Sequence, residues 1–121
     1  KKHYFYDNGI LNLFLFQPET KLLENIVAIH LYKKYGEDLY YYNKNVEVDF
    51  CVPKEGLLVQ VSYRMLDDTT KNREVGALQK VAKFLKAKKC MIITYDQEET
   101  ITLKDLGIDV EVVPIYKYLL D

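Results

Sequence analysis

At 121 residues, 49% hydrophobic and 29% charged, with five Gly and three Pro, the chain has the composition of one folded globular domain and not of a disordered segment. Its formal net charge of −1 excludes a global positive field, so any contact with nucleic acid has to use a local patch. No stretch approaches the run of about 18 apolar residues that a membrane span needs, so a cytoplasmic chain without membrane contact is expected.

The chain opens Lys1-Lys2-His3, without Met or a signal-peptide pattern, and is expected to be cut from something longer, with residues 1–20 as a lead-in segment. Tyr4-Phe5-Tyr6 reads as a strand before an Asp7-Asn8-Gly9 turn, and Ile10 to Phe16 as a turn or two of helix. Pro18 disfavours helix at Gln17, and Thr20 is a suitable N-cap for the next element. Lys21 to Tyr35 is the first clear helix, stopped by Gly36. Leu22, Leu23, Ile26, Val27, Ile29 and Leu31 form its apolar face, and Lys33 and Lys34 suit the negative end of its dipole. Glu24 lies at the edge of that face, beside Val27, Ala28 and Leu31. The simplest reading is a first-turn Glu that favours the dipole and leans out to solvent.

Leu39 to Tyr42 predicts a strand, turned at Asn43-Lys44-Asn45 into a hairpin of Val46 to Val52 and Leu57 to Tyr63 around Pro53-Lys54-Glu55-Gly56. A tyrosine-rich strand reads first as a half-buried strand, and second as a stacking platform for bases. Strict alternation puts Val46, Val48 and Phe50 on one face of the hairpin and Glu47, Asp49 and Cys51 on the other. It also sets Gln60 and Ser62 between Val59, Val61 and Tyr63. An acid and an amide inside apolar strands each need a partner.

Arg64 to Thr70 is a polar connection, followed by a second helix from about Lys71 to Lys88 with Val75, Leu78, Val81, Ala82 and Leu85 as its core stripe. Its lysines, Lys80, Lys83, Lys86, Lys88 and Lys89, read first as a solvated face and second as a phosphate contact. Cys90 to Tyr95 is a strand buried on both faces. An acidic loop from Asp96 to Thr100 precedes a short strand at Ile101 to Leu103, another at Ile108 to Val113, and a final helix opened by Pro114. Cys51 and Cys90, both inside strands and without metal-type spacing, are expected to be reduced and buried. The fold class is α/β: a mixed central sheet flanked by helices, with a core in the order α-β-β-β-α-β-β-α, because the crossover from Tyr63 through the second helix delivers a parallel strand.

The chain has no Gly-rich phosphate loop, no Cys-x-x-Cys pair, no His-Glu-x-x-His and no nucleophile elbow, and His3 and His30 are isolated. The remaining candidates are Glu24, Asp49, Gln60 and Ser62. Two carboxylates and an amide on adjacent elements suit a hard divalent cation such as Mg²⁺, which polarises a phosphodiester and acidifies a water.

Leu22-Leu23-Glu24-Asn25, Glu47-Val48-Asp49-Phe50 and Val59-Gln60-Val61-Ser62-Tyr63 together resemble the three-part signature of the PD-(D/E)XK nuclease superfamily, with its restriction-endonuclease-like core. More specifically, the chain is similar to the C-terminal domain that follows an AAA+ ATPase module in a large prokaryotic family. Tyr4 to Gly9, Thr70 to Leu78 with Arg73-Glu74, and Val113-Pro114-Ile115 extend the likeness over nearly all of residues 1–121. The resemblance implies Glu24, Asp49 and Gln60 as metal ligands, with Mg²⁺ as cofactor and ATP confined to an upstream module. Ser62 falls where the superfamily has its catalytic lysine, and a neutral hydroxyl cannot supply that positive charge. Lys44 and Lys71 are the substitutes considered. Three functions are expected on this basis: a degenerate accessory domain acting in interaction or nucleic-acid binding, an active Mg²⁺-dependent endonuclease with a relocated lysine, or a structural module that self-associates. The partners implied are the upstream ATPase module, nucleic acid and a second copy of the chain.

Overall fold

The computed structural model describes residues 19–44 and 46–120. The strand, turn and helix expected before Pro18 lie outside them. Helix α1 runs Glu19–Tyr35, so Thr20 is inside the helix and not its cap. Gly36 ends it with φ of 55°, a left-handed conformation that an L side chain rarely takes. Strands β1 (Tyr40–Asn43), β2 (Glu47–Val52) and β3 (Leu57–Val61) form the expected meander.

Helix α2 spans Asp68–Leu85, three residues earlier at its start than its apolar periodicity predicts, because the Asp67 carboxylate accepts the Thr70 N–H at 2.7 Å and caps it. It stops at Leu85 with Lys86 in a left-handed conformation. β4 (Lys89–Thr94), β5 (Glu99–Leu103), β6 (Ile108–Pro114) and a one-turn helix α3 (Ile115–Tyr118) complete the chain. The short strand expected at Ile101 begins two residues earlier, because part of the acidic loop joins the sheet edge. Three strands follow α2, matching the three segments expected one by one at Cys90, Ile101 and Ile108, where the core order α-β-β-β-α-β-β-α counts two.

The six strands lie in the order β1-β2-β3-β4-β6-β5. β3, β4 and β6 are parallel, and β1, β2 and β5 are antiparallel to their neighbours. The sheet is thus mixed and flanked by helices, as the crossover rule requires. On one side α1 and α3 bury Leu23, Val27, Leu31, Phe50, Val59, Val61, Ile93 and Tyr118. On the other, α2 buries Val48, Cys51, Leu58, Leu78, Val81, Ile92, Val110 and Val112. His30 is structural, its ring 4.7 Å from that of Tyr118. Both cysteines are free and buried, and burial pushes each thiol up to about 11.

The hairpin departs from strict alternation. Val48 faces α2 while Phe50, two residues on, faces α1. The cause is a bulge: Tyr40 pairs with Cys51 but Tyr42 pairs with Val48, so β2 carries one residue more than β1 between these pairs. Toward the turn the β2–β3 ladder is regular, pairing Phe50 with Val59, Cys51 with Leu58 and Val52 with Leu57. Past Phe50 the strands are out of phase, Val48 facing α2 and Val61 facing α1, and the regular pairing stops.

Candidate functional site

Where the ladder ends, side chains replace it. The Asp49 N–H donates to Gln60 Oε1 at 2.8 Å, and the Gln60 amide donates to the Glu47 carbonyl at 3.3 Å. The Val61 N–H donates to Asp49 Oδ2 at 2.8 Å. Three backbone groups that the register shift would leave unpaired are thereby satisfied, which explains an acid and an amide in apolar strands.

The gap opens into a cavity of about 610 Å³, lined from both layers by Lys21 and Glu24 of α1, Glu47, Asp49, Gln60 and Val61 of the strands, and Arg73, Glu74, Gly76 and Lys80 of α2. Gly76 and Ala77 keep the α2 wall low, and a Cβ built at Gly76 would meet nothing within 4 Å. Three of the four expected site residues, Glu24, Asp49 and Gln60, are brought together here. Glu24 is buried, 6% exposed, and does not lean out to solvent as a first-turn Glu would. Ser62 does not line the cavity; it is buried and its N–H continues the parallel ladder to the Ile93 carbonyl at 3.0 Å.

Neither substitute lysine reaches the site. Lys71 Nζ lies 2.8 Å from Glu99 Oε1 on β5, and Lys44 is exposed and does not line the cavity. Among the described residues, the cations that do line it are Lys21, Arg73 and Lys80. Arg73 stands 3.8 Å from Glu74, whereas Lys21 and Lys80 form no ion pair among the described residues.

Sequence reasoning missed Tyr41, Glu47 and Glu74 as site groups. Burial, followed by a hydrogen bond to Glu47 and the charges of Glu47, Asp49 and Glu24, pushes the Tyr41 phenol up to about 12. Tyr41 is thereby coupled to this carboxylate cluster, while Tyr40 at the start of β1 is 52% exposed. Glu74 is raised above the usual carboxylate range by burial and by Glu47, against the opposing pull of Arg73. Glu47 stands two residues from Asp49, so strand periodicity was a usable signal for it. For Tyr41 and Glu74 the sequence carried none, because their proximity depends on the bulge and on α2.

The donor set bears on Mg²⁺. Asp49 Oδ2 and Gln60 Oε1 already accept backbone N–H groups, so a cation would compete with bonds that join the strands. Among the described residues no group of three or more His, Cys, Asp or Glu is disposed to hold a metal ion.

No family model matches the chain. No solved structure matches it either. An uncharacterised protein of Methanocaldococcus jannaschii is 39% identical over 124 residues, a match covering 93% of this chain and 28% of the relative. The chain thus spans about a quarter of the length of the curated relative it matches. No helix among the described residues is long and apolar enough to cross a membrane.

Proposed function

We propose that this chain is a nuclease-fold domain of PD-(D/E)XK type that binds nucleic acid without cutting it. The observation that carries the reading is the use of Asp49 and Gln60 to bridge β2 and β3, with Ser62 outside the cavity. Two expected ligands act as strand connectors, and the position of the expected lysine does not line the cavity. There persists a cleft lined by Lys21, Arg73 and Lys80 from both helices beside the carboxylates of Glu24, Glu47, Asp49 and Glu74, and the three cations are the groups offered to a phosphate backbone on a chain of near-zero charge. A relative much longer than the match supports an accessory role within a larger protein, which we place in the cytoplasm with an AAA+ ATPase module upstream.

Lys21 and Lys80, both lining the cavity and neither in an ion pair among the described residues, favour a second reading: a Mg²⁺-dependent endonuclease with its lysine moved to a helix. Incubation of the chain with supercoiled plasmid in Mg²⁺ or Mn²⁺ separates the two. The first reading predicts a gel shift without nicking, weakened by Gly76→Leu, which fills the cavity while replacing a poor helix former with a good one. Nicking that requires metal and disappears in both Glu24→Ala and Lys80→Ala would overturn it in favour of the second.

A further inference from the structure

The C-terminal ends of β3 and β4 carry a second built surface, distinct from the cavity. Tyr63 and Tyr95 stack with ring centroids 4.9 Å apart and planes 21° from parallel. The Arg64 guanidinium lies 5.6 Å and 5.9 Å from the two centroids. Tyr95 is 47% exposed and Leu66, nearby in the chain, 81% exposed.

The surface is held rigidly. The Tyr95 N–H donates to the Tyr63 carbonyl at 3.0 Å, extending the parallel pairing of β3 with β4. Gln97 then ties the two adjoining loops together: its Oε1 accepts the Met65 N–H at 2.6 Å and its amide donates to the Met65 carbonyl at 3.0 Å. Thr94 Oγ1 fixes Gln97 in turn, donating to its carbonyl at 2.8 Å and accepting its N–H at 2.9 Å. A preorganised ring loses little freedom when a ligand stacks on it. The position is also one where open α/β sheets bind ligands, beyond the carboxyl ends of parallel strands. Tyr63 lies two residues past Val61, which lines the cavity, so the two features are about 7 Å apart along the strand.

We propose that the Tyr63, Tyr95 and Arg64 cluster is a stacking platform for an unpaired base of single-stranded nucleic acid. The outer face of Tyr95 takes the base, and Arg64 adds a cation beside the rings. Arg64 also stands 3.8 Å from Asp96, with both side chains about half exposed, a loose pair that costs little to rearrange. With Asp96 and Glu98 close in sequence and a net charge of −1, attraction comes from stacking more than from counterion release. The platform's share of the salt dependence is therefore small, a log–log slope of about −0.7 for the one phosphate contact Arg64 could make. The class of partner rests on the nucleic-acid reading of the cavity, but the residues are separate.

The test is fluorescence anisotropy of the 121-residue chain with a labelled oligothymidine of about 12 nucleotides, and with the same strand in a duplex. The expected result is preference for the single strand, a loss of about 5- to 150-fold in Tyr95→Ala, and retention in Tyr95→Phe. Tyr95 is half exposed, so unfolding is not expected, and an unchanged thermal melt checks this. Wild-type affinity in Tyr95→Ala, or equal binding of duplex and single strand, would overturn the platform. If Gly76→Leu weakens binding while Tyr95→Ala does not, the platform fails and the cavity reading stands. The reverse pattern supports the platform and sinks the cavity reading, and no binding of either probe overturns both.

Discussion

The two ends of the β2–β3 hairpin are built on opposite plans. At the turn end, Pro53 to Gly56 closes a regular apolar ladder, and every paired residue from Phe50 to Val52 and from Leu57 to Val59 is buried. Gly56 is needed there twice over: its φ is 65°, and a Cβ would come within 3.1 Å of the Lys88 backbone nitrogen. That contact accompanies the Gly56 carbonyl accepting the Lys88 and Lys89 N–H groups at 2.7 Å and 3.0 Å. At the open end the backbones part, and Asp49 and Gln60 stand in for the missing ladder bonds. One end is fixed by sterics and burial, the other by three polar contacts beside a cavity. The candidate site lies where backbone pairing fails, and there Asp49 and Gln60 of two central strands line the 610 Å³ cavity.

Gln60→Leu breaks the open end most severely. It keeps the volume but strands the Asp49 N–H and the Glu47 carbonyl, at about 1–3 kcal/mol for each group left without a partner. Urea unfolding should show a total loss of about 2–6 kcal/mol; a loss below about 0.5 kcal/mol would mean that the bridge is dispensable. Gly56→Ala attacks the closed end, where positive φ and the close backbone approach together cost about 1–3 kcal/mol. Gly36→Ala, also at positive φ but with open space around it, should cost less. Equal losses at the two glycines would show that the approach to Lys88 carries no weight.

The smallest effect concerns the acids of the open end. Glu74 holds its proton more tightly in the folded state than in the unfolded chain, because burial and Glu47 disfavour its charge. Its contribution to stability is therefore fully present below its unfolded pKa and is lost as pH rises through the folded one. Glu74→Gln should flatten the decline in melting temperature from acidic to neutral pH. An unchanged slope would show that Glu74 does not couple the open end to pH.

Much of the architecture was legible in the sequence. Apolar periodicity located both long helices, and turn residues marked the hairpin, with Gly36 and Gly56 ending their elements as expected. The parallel crossover through α2 followed from handedness. The bulge did not show, since Val48-Asp49-Phe50 reads as perfect alternation, and it takes the pairing with Tyr40 and Tyr42 to shift it. That shift decided the site: it set Asp49 and Gln60 against backbone groups and gathered Tyr41 and Glu47 beside Glu24. The cations were equally hidden. Lys80 looked like part of a solvated helix face, and only the placement of α2 against the gap brings it to the cavity.

If Gln60 connects strands and does not bind metal, Gln60→Glu is the variant that shows it most directly. A carboxylate in place of the amide cannot donate to the Glu47 carbonyl and would face it with negative charge, yet it is the better ligand for Mg²⁺. Thermal unfolding of this variant with and without millimolar Mg²⁺ should show a lower midpoint than the natural chain, and Mg²⁺ should not restore it. A midpoint that Mg²⁺ raises to or above that of the natural chain, as a ligand binding only the folded state would do, would contradict the role of Gln60 as a strand connector.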